Sequence, residues 1–280
     1  MRRKDFLKLS SASLFLASLK SQGVNPIDLN YNYPENNSQY MGDFMAPKLN
    51  VVKVAFIGVG ARGSAHAKQI SAIEGTEVVA ICDLYEDLAE KSSQTCQEIG
   101  NGKRHKNITI YSGAENKWKA MLKEVKPDAV FISTNWNNHA PMAIETMKSG
   151  AHAFVEVPMA TTIDDLWKIV NTSEKTRKHC MMMENVNYGR DELMFLNMCR
   201  KGVIGEFLHA EAAYIHELRF QMKEEHRGTG SWRTHHYAKS KGNLYPTHGL
   251  GPVAQYMNLA RGDDNFNSIV SYSTPALGRK

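Results

Sequence analysis

The sequence predicts an α/β fold: a parallel sheet covered by helices on both faces, followed by a smaller α+β part built on an open antiparallel sheet that is incomplete at its end. Three observations carry this. Apolar runs rich in Val, Ile and Ala (VVKVAFI, TEVVAIC, DAVFIS, AHAFVEV) recur with helix-period stretches between them, the pattern of parallel strands buried on both sides. The first run ends in a glycine-rich turn. After Gly202 the rhythm changes to the alternation of GEFLHAEAAYIHELRF, which suits a strand with one wet face.

Residues 1–30 read as an export signal and lead-in. Arg2, Arg3, Lys4 and Lys8 precede a short apolar run over 10–19, too brief for the ~20 residues of a bilayer-spanning helix. The arginine pair followed by Phe6-Leu7-Lys8 resembles a twin-arginine signal, which exports folded proteins, so the expected location is periplasmic or secreted, and an integral membrane protein is not expected. Residues 31–50, rich in Asn, Tyr and Pro without a period, form an extended linker.

From Val51 the elements follow in order. VVKVAFIGVG is a buried strand and glycine turn, and Ala67, Ile70 and Ile73 at helical spacing carry a helix to Glu74. TEVVAICD is the second strand, LYEDLAEKSSQTCQEIG a helix ending at Gly100, and DAVFIST a further strand. A helix over 140–149 stops at Gly150; AHAFVEVP, DDLWKIVNTSEKTR and HCMMMENV then give strand, helix and strand. Residues 51–185 are thus one domain, and 186–280 are part of a second.

Composition narrows the function classes. With 42% hydrophobic and 22% charged residues the chain of 280 is neither fibrous nor disordered. The net charge of +5 is spread along the chain rather than gathered in a block, which excludes nucleic acid as an expected partner. Cys82, Cys96, Cys180 and Cys199 lack C-x-x-C spacing and read as reduced core thiols.

Gly58, Gly60 and Gly63 spell G-x-G-x-x-G between a strand and a helix. The first glycine makes the turn, the second lets the backbone approach a pyrophosphate, and the third packs helix on strand, with the free helical N–H groups holding the anion. Asp83 ends the next strand about 20 residues beyond the last glycine, where a dinucleotide fingerprint places its ribose acceptor. A carboxylate there repels a 2′-phosphate, so the expected cofactor of this Rossmann domain is NAD. Ala61 and Arg62 sit inside the loop, and Arg62 reaches either the phosphates or solvent.

To this point the chain resembles the Gfo/Idh/MocA oxidoreductases, whose corresponding strand usually ends Glu-Lys-Pro, the lysine moving the proton of the alcohol being oxidised. Here it ends Glu156-Val157-Pro158, and valine moves no proton. The blocks AFIGVGARGS, EVVAICDLYEDLA, ENKWKAMLKEVKPDAVFIST, GAHAFVEVP, HCMMMENVNYGR, AAYIHELRFQMKEE, GTGSWRT and GNLYPTHGLGPVAQYMNLARGDD resemble one branch, the NAD-dependent glycoside hydrolases of family 109. The segment TNWNNHAPM over 134–142 departs from the TPWEWHAPM expected there, and the family continues past Lys280.

The resemblance implies cleavage of terminal α-N-acetylgalactosamine by oxidation at C3, elimination, hydration and reduction, with no net redox change. It implies His248 as base or proton relay and Tyr188 as a second acid/base. Tyr214, Arg233, Tyr245, Thr247 and His248 would hold the sugar, with sheet packing as the alternative for Tyr214, ordinary packing for Tyr245 and a surface ion pair for Arg233. Trp136, Asn137, Asn138, Glu156, Val157 and Asn185 would line the cofactor, and His139 would cap a helix beside it. The partner is then a small molecule or glycan ending in α-GalNAc. No metal is expected, since the neighbouring His235 and His236 would point apart on a strand. The alternative function is a net NAD-dependent sugar dehydrogenase, a third a cofactor-binding scaffold without turnover. The sequence leaves the oligomeric state open, a homo-oligomer included.

Overall fold

A computed structural model of the chain describes residues 40–42, 44–239, 242–243, 245–260 and 264–275. The export signal and most of the linker lie outside the described residues. Among those described, no helix is long and apolar enough to cross a membrane.

Six parallel strands form one sheet: β1 (Val52–Ile57), β2 (Thr76–Cys82), β3 (Thr109–Tyr111), β4 (Ala129–Ile132), β5 (His152–Val155) and β6 (Cys180–Met182), in the order β3-β2-β1-β4-β5-β6. This is the doubly wound order, and it reverses direction between β1 and β4. The helices between the strands are α1 (Ala61–Ser71), α2 (Glu86–Ile99), α3 (Lys117–Val125), α4 (Trp136–Lys148) and α5 (Ile163–Thr176).

Period-2 geometry explains the continuous apolar runs. Ala55 and Ile57 of β1, with Val130 and Ile132 of β4, pack under α3, α4 and α5 through Met121, Ala143 and Ile169. Val54 and Phe56, with Ala129 and Phe131, face α1 and α2 through Ala67, Ala89 and Cys96. Both faces are covered, so both parities are apolar. In β2 the parity breaks: Val54 pairs with Val78 but Ala55 with Ala80, which leaves Val79 as a bulge and puts both Val78 and Ile81 on the α1/α2 side. Phe56, Phe131 and Phe154 stack across three strands at 5.4 and 4.7 Å between ring centroids.

The sequence reading missed β3 and α3, and α4 starts at Trp136 rather than at 140. The larger difference lies after Gly202. Residues 206–217, expected as a strand of an antiparallel sheet, form no regular secondary structure and pair with no other segment among the described residues. Leu208 and Ile215 are 93% and 92% exposed. Alternation alone does not make a strand, which needs a neighbour for its backbone and a covered face for its side chains. The regular elements described from 186 onward are helical: α6 (Arg190–Arg200), a short 3-10 turn (Gln221–Lys223), α7 (Thr229–Lys239) and α8 (Thr247–Tyr256). His235 and His236 therefore sit on helix α7, not on a strand.

Candidate active site

The carboxy-terminal ends of the strands open on a cleft of about 1040 Å³, the location expected of ligands in doubly wound sheets. One wall is the glycine loop. Gly58 has φ +82° and lies so close to β4 that a Cβ there would meet the Ser133 carbonyl oxygen at 2.7 Å. A Cβ on Gly63 would fall 1.9 Å from the Gly58 carbonyl oxygen, whereas one on Gly60 meets nothing within 4 Å. The loop is thus tight against the fold at its ends and open at its middle glycine, and no side chain caps the start of α1. Asp83 accepts hydrogen bonds from the backbone N–H groups of Val59 (2.7 Å) and Tyr85 (2.9 Å), tying the loop to the end of β2.

Arg62 meets Glu156, a partner that neither reading of the sequence named, and its side chain stays half exposed. The buried Glu156 carboxylate accepts from Arg62 Nε at 2.9 Å and from His66 Nε2 at 2.6 Å. Burial alone would raise its pKa, but the His66 and Arg62 hydrogen bonds outweigh burial and hold it below the usual range. His139 is no helix cap: it lies inside α4 with Nδ1 2.7 Å from the Pro158 carbonyl and Nε2 3.1 Å from that of Thr134. It pins the β4–α4 turn to the segment after β5, and burial pushes its imidazole pKa down against those two carbonyls.

The far wall is aromatic. Trp136 meets the edges of Trp232 and Tyr245 at 5.1 and 5.5 Å. The Arg233 guanidinium lies 5.3 to 5.5 Å from the rings of Trp136, Trp232 and Tyr245 and donates to Gln221 Oε1 at 3.2 Å. The rings of His248, Tyr214 and Tyr245 form a triangular cluster, with centroids 5.1 Å (His248–Tyr214), 5.5 Å (His248–Tyr245) and 5.4 Å (Tyr214–Tyr245) apart. Burial raises the pKa of both tyrosines, against the lowering charge of Arg233, and so keeps them as neutral hydroxyls. Behind the ring, His248 Nδ1 is hydrogen-bonded to Glu184 Oε1. At the Asp83 end, Arg227 joins the two walls, bonding Asp87 at 2.6 Å and lying over the Tyr85 ring at 4.4 Å.

Residues 188–280 match the family model "Glycosyl hydrolase 109, C-terminal domain", and residues 52–184 match "Oxidoreductase family, NAD-binding Rossmann fold". Glycosyl hydrolase family 109 protein 1 of Akkermansia muciniphila is 62% identical over 240 residues, which cover 86% of this chain and 49% of that protein. The chain belongs to glycoside hydrolase family 109. A second member, named alpha-N-acetylgalactosaminidase, from Shewanella oneidensis, is 54% identical over 246 residues covering 88% of this chain and 52% of that protein. The chain spans about half the length of these curated relatives. A structure titled putative myo-inositol dehydrogenase, from Sinorhizobium meliloti, superposes with a TM-score of 0.57 at 16% identity, covering 74% of this chain and 56% of that one, and so shares the fold.

In this family 109 chain one cleft gathers Gly58, Gly60, Ala61, Arg62, Asp83, Trp136, Asn138, His139, Glu156, Val157, Asn185, Tyr214, Arg233, Tyr245 and His248. Gly63 packs behind the loop, and Asn137 points to solvent. Tyr188 and Thr247 are not in the cleft. They line a separate cavity of about 760 Å³ beside Phe154 and Met181, and Tyr188 is 50% exposed. Sequence reasoning missed His66, Trp232, Gln221 and Glu184, each of which reaches its partner only through the fold. Among the described residues no group of three His, Cys, Asp or Glu is placed to hold a metal ion.

Proposed function

We propose that this protein is an NAD-dependent glycosidase that releases terminal α-linked N-acetylgalactosamine with no net change in oxidation state. The observation that carries the reading is a single cleft with a dinucleotide cradle at one end and a His–Tyr–Arg cluster at the other, with aliphatic Val157 rather than an amine just beyond β5. The cradle fits the dinucleotide. Gly60 leaves open space at the uncapped start of α1, and Ser133 Oγ and Asn135 Oδ1, which line the same wall, are buried without a hydrogen-bond partner.

The start of α1 would hold the phosphates, Asp83 the ribose hydroxyls, and Glu156, Trp136 and Asn185 the opposite end. When bound, NAD supplies a reversible hydride acceptor. The chain's own residues supply the rest. His248 presents a ring nitrogen to take a proton from a sugar hydroxyl. Tyr214 and Tyr245 donate neutral hydroxyls, and Arg233, over three rings, offers fixed N–H groups to the acetamido oxygen. Val157 moves no proton, so a lysine-assisted net oxidation finds no agent at that position. Tyr188 and Thr247 have no part in this reading. Export before use is part of the proposal, motivated by residues 1–30, and cell fractionation that finds the protein only in cytoplasm would remove that part.

The test is incubation with p-nitrophenyl α-N-acetylgalactosaminide and no added NAD. Release of nitrophenol without accumulating NADH supports the glycosidase; NADH formed in step with the product would instead make it a dehydrogenase, and release of neither would end the proposal.

A further inference from the structure

Glu184 is a buried carboxylate that the functional reading above does not use. Its side chain is 2% exposed, an environment that disfavours charge unless every oxygen is satisfied. Oε1 accepts from the Val186 N–H at 3.0 Å and Oε2 from the Asn187 N–H at 2.9 Å, which shapes the turn after β6. Those two bonds would suffice for a turn. Oε1 also reaches Nδ1 of His248, 64 positions further along the chain, whose side chain is only 12% exposed.

An ionised carboxylate accepts and never donates, so the proton between the two groups belongs to Nδ1. A neutral imidazole so bonded carries its lone pair on Nε2. Contact with the neighbouring rings of Tyr214 and Tyr245 restricts the tilt of His248, and the bond to Glu184 fixes which edge faces the cleft. Glu184 itself lines the other cavity, not the cleft, so any effect on a bound sugar passes through His248.

We infer that Glu184 is a positioning residue: it keeps the proton on Nδ1 of His248 and leaves Nε2 as the base that meets the sugar. The catalytic half of this statement rests on the glycosidase reading; the tautomer does not.

The experiment is 15N NMR of the histidine side chains in the 280-residue chain at a pH where imidazoles are neutral, with His248→Asn to assign the signal. Wild type should show the Nδ1–H tautomer, and Glu184→Gln should shift His248 toward Nε2–H or a mixture. An Nε2–H wild type, or a variant spectrum identical to wild type, overturns the inference. If Glu184→Gln does not fold, the wild-type tautomer alone decides. In the nitrophenyl assay Glu184→Gln should lower kcat by ~100-fold to 1000-fold with KM within about twofold, and Glu184→Asp should restore part of it. A purely structural role would reduce the folded fraction and leave kcat per folded molecule unchanged, which also overturns it. Wild type without nitrophenol release defeats the glycosidase reading, while the tautomer still decides the role of Glu184.

Discussion

Two alanine substitutions in the glycine loop should separate folding from cofactor binding. At Gly63 an added Cβ would sit 1.9 Å from the Gly58 carbonyl oxygen, 2.8 Å from its carbon and 3.2 Å from Ser133 Cβ. The first two are backbone atoms of a turn whose own glycine already holds φ +82° against β4, so they cannot rotate away as a side-chain end would. The loop must move, and overpacking of this kind costs about 3 kcal/mol, the upper end of the usual range. In a domain of this size that lowers Tm by roughly 6–12 °C. At Gly60 the same methyl meets nothing within 4 Å, and φ −65° is open to alanine. Gly60→Ala should therefore melt within about 2 °C of wild type yet bind NAD more weakly, because the methyl projects where the phosphates approach. Differential scanning calorimetry and isothermal titration with NAD read the two effects. Equal melting losses in both variants, or a Gly63→Ala protein as stable as wild type, would refute the assignment of one glycine to packing and the other to the ligand.

Glu156→Gln should lose about 1–3 kcal/mol at neutral pH through its bonds with His66 and Arg62. Because the folded-state pKa of Glu156 lies below its ordinary 4.5, its contribution is present above that value and lost as pH falls through the folded pKa; melts in acid should show wild type and variant converging. His105, fully buried, accepts from the Val78 N–H at 3.0 Å and donates to the Ser71 carbonyl at 2.9 Å. His105→Leu orphans two buried backbone groups and should cost about 3 kcal/mol in urea unfolding. Burial pushes the Cys82 thiol up to about 12, so iodoacetamide at pH 8 should spare it in the native protein and modify it in guanidinium, as read by peptide mass mapping.

The parts of this fold that were legible in the sequence are those whose signal is local. β1, β2 and β4 announce themselves because both faces are buried, and the glycine loop with Asp83 because its physical demands fall at fixed spacing. β3 has only three residues, none of them fully buried, and leaves no such trace. The site was harder. Thr247 and His248 are neighbours at the start of α8, and successive helical residues diverge by about 100°, so one lines the cleft and the other the second cavity. Adjacency to a motif residue therefore misplaced Thr247, and the same applies to Tyr188 after Asn185. The Glu184–His248 contact spans two parts of the chain, and nothing in the residue spacing foretells it.

The bond from Arg227 to Asp87 joins the two walls of the cleft through side chains that remain in water. Such a clasp is held by a charge attraction that dissolved ions weaken, unlike the aromatic packing around Trp136. Brine therefore slackens this clasp and leaves the deeper rings packed as they are.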